Sequence, residues 1–209
     1  MQGGGAECVA ALLCNAWAAR GHAVTLVPTY SGRGGCSYPL APNVQLTYLA
    51  DRVGTTRRSP WTLIRRLAAM RAMIRAQAPD AVVAFLPPVN VAAILAASGL
   101  GVPVVVSERI YPPALPLGPV WHLLRRVTYP RAAAVVVQTR RGLAWLQRAV
   151  PGARGQVIAN PCVYPLPAGE PVKTPASYVD CGRQVVLAAG RLTPQKDFAT
   201  LLAAFAELA

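Results

Sequence analysis

Residues 81–107 constrain the fold more than any other part of the chain. The stretch is apolar enough to suggest a membrane helix, yet it contains Pro87, Pro88, Asn90, Gly99, Gly101 and Pro103. A spanning helix needs about 20 consecutive, mostly apolar residues. The breakers divide the run into AVVAFL (81–86), VNVAAILAAS (89–98) and VPVVVS (102–107). The outer pieces are short β-branched runs and the middle piece is helix-like. That pattern predicts strand–helix–strand, with parallel strands buried on both faces. The same alternation extends in both directions. Helices are predicted over 7–20, closed by Gly21, and over 60–77, with Pro60 in the first turn. Further helices are predicted over 119–128, 142–150 and 197–208, and further strands over 23–28, 44–50, 133–139, 156–160 and 184–190. The expected class is α/β, a doubly wound parallel sheet.

The composition supports a packed domain. Of 209 residues, 54% are hydrophobic and 14% charged, against about 25% charged in an average soluble domain. That excludes a disordered chain. Five cysteines are sparse and odd in number, and none form a C-x-x-C pair. A disulfide framework and structural zinc are therefore not expected, and reduced thiols in a cytosolic compartment are. Residues 8–19 are apolar, but Glu7 precedes them and no basic segment does, so no secretory signal is expected.

The net charge is +13, almost all of it arginine, since only Lys173 and Lys196 are lysines. On the helix 60–77, Leu63, Leu67, Met70 and Ile74 form a stripe expected to pack on the sheet. Arg65, Arg66, Arg71 and Arg75 surround it. These arginines serve either solvation or contact with anionic lipid headgroups, worth about 1 kcal/mol each; Arg65 and Arg66 are the named candidates for membrane or acceptor contact. Nucleic-acid binding is disfavoured, because no basic run is interleaved with aromatics.

Residues 1–160 are expected to form one Rossmann-like domain. A proline-rich linker is expected over 161–183, and the start of a second domain over 184–209. Gly3-Gly4-Gly5 opens the first helix with no strand ahead of it, whereas in a doubly wound domain such a turn follows a strand in mid-sheet. The last helix carries Phe198, Leu201, Leu202, Phe205 and Leu208 on one face, a stripe that needs a sheet to cover it. The fold is therefore expected to be truncated at both ends.

Four places carry candidate chemistry. Gly4 and Gly5 precede a helix, where backbone can approach a phosphate. The dinucleotide fingerprint is only partly met, with Cys8 in place of the third glycine and no acid at Val27-Pro28-Thr29; a nicotinamide enzyme is not expected. Arg191 and Lys196 follow a predicted strand and could both reach a pyrophosphate. A solvated basic loop explains their spacing equally well. Glu108 and Arg109 follow VPVVVS at a strand's carboxyl end, where α/β ligand sites lie. Glu108 suits an acid, base or hydroxyl acceptor, and Arg109 an anion holder, although an ordinary Glu–Arg pair fixing the loop is the leading reading on chemistry alone. Asn160-Pro161 suits a turn and a hinge at the chain's exit. His22 and His122 are expected to be structural. No metal site is expected.

The chain resembles the glycosyltransferases of family 4, which carry two Rossmann-like domains facing each other across a cleft, the GT-B fold. The resemblance rests on GGGAE (3–7) with RGHAVTLV (20–27), VPVVVSER (102–109), VIANP (157–161) and GRLTPQKDFATLLAAFAEL (190–208). It spans nearly the whole chain and about half of a complete enzyme. It implies a retaining hexosyltransferase. Such an enzyme moves a hexose or N-acetylhexosamine from a nucleotide sugar, expected to be UDP-linked, to a lipid-linked or cell-surface saccharide. Gly4 and Gly5 resemble the loop that approaches the donor phosphate. Arg191 and Lys196 resemble the pair that grips the donor pyrophosphate and offsets its charge without a metal. Glu108 and Arg109 stand where many members keep a catalytic-site histidine, which is absent here. The family's two glutamates separated by seven residues would lie beyond Ala209, so the 209 residues alone are expected to show no transfer. The resemblance also implies work at the cytoplasmic face of the membrane, with an anionic surface as a further partner. The rival reading is a non-catalytic remnant that binds a partner or an anionic membrane. A GT-B relative such as a sugar-nucleotide epimerase is a third.

Overall fold

In the computed structural model, the described residues are 4–30, 38–55, 59–115 and 117–161, followed by 178–179, 182, 185–190, 192–193 and 196–207. The chain divides into two units, Met1–Cys162 and Val163–Ala209.

The first unit opens with α1 (Gly5–Ala19), an apolar helix that buries Val9, Ala10, Ala11, Cys14 and Ala18. It stops where sequence predicts. The amides of Gly21 and His22 return to the carbonyls of Ala18 and Trp17, and Gly21 takes φ +85°, a conformation that favours glycine. Strand β1 (Val24–Leu26) follows and pairs in parallel with β2 (Val44–Leu46). The strand expected over 44–50 is shorter than predicted. After Thr47 the chain turns into a short helix, α2 (Leu49–Val53), whose Leu49, Ala50 and Val53 are buried. Their spacing of one and three residues places all three on one helical face.

Helix α3 (Pro60–Gln77) has the predicted bounds because its amino end is fully specified. The Ser59 side chain accepts from the Thr62 amide, the Thr62 hydroxyl accepts from the Ser59 amide, and Pro60 needs no partner for an N–H. The predicted stripe is covered except at its amino-terminal residue. Ile74 is buried and Leu67 and Met70 pack on the core, but Leu63 is 61% exposed.

The run 81–107 folds as predicted into β3 (Val82–Phe85), α4 (Pro87–Ala97) and β4 (Val104–Ser107). The chain then passes through a 3₁₀ turn at Pro112–Ala114 into α5 (Pro119–Thr128), and through a second turn at Tyr129–Arg131 into β5 (Ala134–Val137). Helix α6 (Arg140–Ala149) and β6 (Gly155–Val157) complete the unit. Strands β3-β4-β5-β6 lie in that order, all parallel. Their core includes Ala84, Val106, Val135 and Val137, against Ile94 of α4 and Leu146 of α6. No helix among the described residues is long and apolar enough to cross a membrane.

The fold is α/β with parallel sheets and helices, a Rossmann-like arrangement, but the described strands form two sheets rather than one. Strands β1 and β3 each pair on one side only.

In the second unit, α7 spans Phe198–Ala206 and buries no side chain. Residues 185–190, predicted as a strand, pair with no strand among the described residues, and Val186 and Leu187 are 65% and 88% exposed. An apolar parallel strand is stabilised by neighbours on both edges and layers on both faces, and the described residues supply neither.

Leu146 is fully buried between α6 and the sheet, whereas Leu123 on α5 is 62% exposed. Leu146→Ala should cost about 2–5 kcal/mol, and Leu123→Ala should stay within about 0.5 kcal/mol. Urea denaturation of both variants checks the difference.

Candidate functional site

The carboxyl edge of the four-stranded sheet gathers polar side chains from the ends of β4, β5 and β6 and from α4. At the end of β3, Leu86 takes φ +74° and ψ +140° as the N-cap of α4. That region is almost confined to glycine and stores about 1–3 kcal/mol of strain. The turn is held because the Leu86 amide donates to the Ser107 carbonyl at 3.2 Å and the Asn90 amide to the Leu86 carbonyl at 2.8 Å.

Glu108, at the end of β4, is 2% exposed. Both carboxylate oxygens are engaged. Arg125 Nε donates to Oε1 at 2.9 Å and Arg125 Nη2 to Oε2 at 3.1 Å, a side-on fork. The Tyr129 hydroxyl donates to Oε1 at 2.6 Å and accepts from Asn90 Nδ2 at 3.1 Å. Asn90 also donates to the Ser107 carbonyl. The network thus ties β4 to α4, to α5 and to the turn that follows α5. The Arg125 guanidinium lies 5.5 Å from the centre of the Trp145 ring. Burial pushes the Tyr129 phenol far above its ordinary pKa, with the Glu108 charge and hydrogen bond adding to the rise.

Arg109 faces the other way. Its guanidinium lies 5.3 Å from the centre of the Phe85 ring. One nitrogen reaches Ser107 Oγ at 3.4 Å and another reaches Asn160 Oδ1, which also accepts from Gln138 Nε2 at 2.9 Å. Its Nε is buried with no partner among the described residues. Partial burial lowers the Arg109 pKa.

At the amino end of α1, Gly4 is the N-cap and accepts from the Tyr38 hydroxyl at 3.1 Å. The Glu7 carboxylate folds back over Gly4, into the space a Cβ would occupy.

Comparison with known proteins decides what this edge belongs to. The glycosyl transferase 4-like domain matches residues 4–161. The chain belongs to the family 4 glycosyltransferases. It is also 28% identical, over all 209 residues, to a Campylobacter jejuni subsp. jejuni serotype O:2 protein. That relative is named as GalNAc-alpha-(1->4)-GalNAc-alpha-(1->3)-diNAcBac-PP-undecaprenol alpha-1,4-N-acetyl-D-galactosaminyltransferase, and the chain spans 55% of its length.

Within this family 4 chain the predicted site residues fall into separate groups. Glu108 and Arg109 are adjacent in sequence, yet Glu108 pairs with Arg125 and Arg109 with Asn160. The expected loop pair between them does not form. Asn160, the expected hinge residue beside Pro161, is a shared acceptor at the sheet edge. Gly4 and Gly5 stand at α1, and no hydrogen bond among the described residues joins them to the Glu108 or Arg109 groups. In the second unit, the Lys196 stem lies 3.4 Å from where a Cβ on Gly190 would stand, and its amide donates to the Thr193 carbonyl at 2.9 Å. Arg191 lies outside the described residues.

Arg65 and Arg66, expected at a membrane or acceptor, have another use. Arg65 donates to the Val53 carbonyl at 3.1 Å and Arg66 to the Thr55 carbonyl at 3.4 Å. Both neutralise the carboxyl end of α2. Arg71 does the same for α4, reaching the carbonyls of Ala96 and Ser98.

Sequence reasoning missed Asn90, Arg125, Tyr129 and Gln138. Asn90 was legible in principle, as the one polar residue inside VNVAAILAA. Arg125 sits 17 residues from Glu108, and nothing local in the sequence marks the pairing.

Two outcomes test the network. Glu108→Gln leaves the Arg125 charge buried without its counter-ion and should cost about 3–5 kcal/mol, while Glu108→Gln with Arg125→Met should recover part of the loss. Denaturant midpoints of the single and double variants decide it. For Tyr129 the folded pKa lies above the unfolded value, so its stabilising effect is complete below pH of about 10 and declines as pH rises past it, by up to about 1.4 kcal/mol per pH unit. Tyr129→Phe should lack that alkaline decline, as read from urea midpoints between about pH 9 and 11.

Proposed function

We propose that this chain is the acceptor-side domain and the first part of the donor domain of a retaining glycosyltransferase. The enzyme moves a hexose or N-acetylhexosamine from a UDP-linked sugar to a polyprenyl-diphosphate-linked saccharide. The observation that carries the reading is Arg109. It is a half-buried guanidinium at the carboxyl edge of a parallel sheet, with no carboxylate partner among the described residues. Ligands of open α/β sheets bind at such an edge. The named activity of the Campylobacter relative supports the choice of a lipid-diphosphate acceptor.

In this reading the acceptor hydroxyl attacks the anomeric carbon on the face from which the nucleoside diphosphate departs, so the configuration is kept, and the hydroxyl proton passes to the departing diphosphate oxygen. Arg191 and Lys196 offset the charge that develops on the departing diphosphate. Gly4 and Gly5 let the backbone approach the donor phosphates, with Glu7 moving aside. Arg109 holds an anionic group of the substrate. Glu108 acts through Arg125 and Tyr129, holding the turn that carries Arg109, and touches no substrate.

The proposed workplace is the inner face of the cytoplasmic membrane. Trp61, Leu63 and Ile64 are 75%, 61% and 57% exposed on the first turns of α3. They, rather than Arg65 and Arg66, are the side chains available for lipid contact.

The test is transfer of labelled sugar from UDP-N-acetylgalactosamine and other UDP-sugars to a polyprenyl-diphosphate-linked saccharide. Transfer is expected when the chain is expressed with the remainder of its reading frame, and not from the 209 residues alone. Arg109→Ala should lower the rate by about 10²-fold. Transfer by the 209 residues alone, or an unchanged rate in Arg109→Ala, would count against these assignments.

A further inference from the structure

The turns after β4 and β5 place more positive charge at the sheet edge than the protein neutralises. Arg109 leaves the end of β4. Two residues later Tyr111 lies beneath a second guanidinium, that of Arg141, whose carbon is 4.9 Å from the ring centre. From the β5 side, Gln138 donates to the same Asn160 oxygen that Arg109 reaches. Arg140 follows Gln138 by two positions and opens α6. Two independent links, one polar and one aromatic, therefore hold the Arg109 turn against the Arg140–Arg141 turn.

Arg140 and Arg141 are poorly placed for stability. They occupy the first turn of α6, where the helix dipole is positive and favours anions. The one ion pair among the described residues is Arg125–Glu108, so none there compensates Arg109, Arg140 or Arg141. Unlike Arg65, Arg66 and Arg71, they cap no helix carboxyl end. Aromatic faces lie under Arg109 and Arg141; the Arg141 donors have no partner among the described residues, whereas Arg109 donates to Ser107 Oγ and Asn160 Oδ1, bonds that an arriving anion would share or replace.

We propose that Arg109, Arg140 and Arg141 form a binding rim for a diphosphate ester. A single carboxylate matches one arginine fork. A diphosphate carries two or more charges, and its two phosphoryl groups can each take a fork. Two sources present this chemistry to such an enzyme: the lipid-linked acceptor and the nucleotide of the donor. The assignment to the acceptor rests on the transferase reading above. The rim itself rests on the geometry.

The test is calorimetric titration of the 209-residue chain with farnesyl diphosphate, farnesyl monophosphate and UDP. Farnesyl diphosphate should bind more tightly than the monophosphate. The double variant R140Q/R141Q should weaken it by about tenfold or more, with the far-ultraviolet spectrum unchanged. R148Q serves as the charge control, because Arg148 is exposed near the other end of α6 and bonds only the Ala144 carbonyl among the described residues; it should leave affinity unchanged. Absence of binding, equal losses in R148Q and R140Q/R141Q, or no loss in R140Q/R141Q would overturn the rim. UDP binding that matches farnesyl diphosphate and falls in parallel in R140Q/R141Q would overturn the acceptor assignment. Binding through these arginines by a protein whose full reading frame transfers no sugar would keep the rim and remove the transferase reading. Unimpaired transfer by R140Q/R141Q would do the reverse.

Discussion

A buried carboxylate fixes the site edge. Glu108 and Arg125 are both withdrawn from water, and each ion loses several kcal/mol of hydration. The pair persists because the fork is side-on and the second lone-pair demand on Oε1 is met by Tyr129. Tyr129 in turn is held by Asn90, whose amide also reaches the Ser107 carbonyl. Four elements share this arrangement, so none can shift at the edge without exposing or orphaning a charge. The strained Leu86 turn persists in the same place because its amide and carbonyl are taken by Ser107 and Asn90. Arg125 Nη1 and Asn90 Oδ1 stay unpaired among the described residues, and the Trp145 face offsets part of the former's cost.

How much of this was legible depended on whether the signal was local. Strand–helix alternation was readable from β-branched runs and breakers, and the bounds of α3 were readable from Ser59, Pro60 and Thr62. Gly21 marked the end of α1 because no other residue takes its conformation as readily. The strand expected at 44–50 failed at Leu49, since a short apolar run fits period two and period three to four equally. The stripe on α3 failed at Leu63 for a different reason: periodicity gives a face, and only tertiary packing determines how far the cover extends. The chemistry of Glu108 was the least legible. Its neighbour Arg109 suggested a local pair, but the partner came from the next helix.

The arginines illustrate the same limit. In sequence, Arg65, Arg66 and Arg71 looked like a basic face offered outward, yet each turns to a carbonyl at a helix end. Arg109, Arg140 and Arg141 do not read as a group in sequence, because 31 and 32 positions separate the first from the others. The fold brings them to one edge and leaves them uncompensated among the described residues. Charge counting alone therefore could not separate arginines that stabilise the fold from those available to a ligand.

Backbone donors are poorly placed to hold an anion at this edge. Helix α4 begins with Pro87 and Pro88, which have no N–H to offer, so its amino end is a weak anion site despite its dipole. At α6 the Thr139 hydroxyl already takes the Gly142 amide at 3.0 Å. Backbone donors are thus scarce along this part of the rim, and guanidinium groups supply what the helix ends do not. At α1 the balance is opposite: Gly4 and Gly5 leave the backbone open, and the nearest charge is the Glu7 carboxylate. A phosphate arriving there must first displace a like charge, whereas Arg109 has no carboxylate partner among the described residues. The amino end of α1 and the Arg109 turn therefore differ in charge, the first presenting a carboxylate and the second guanidinium groups.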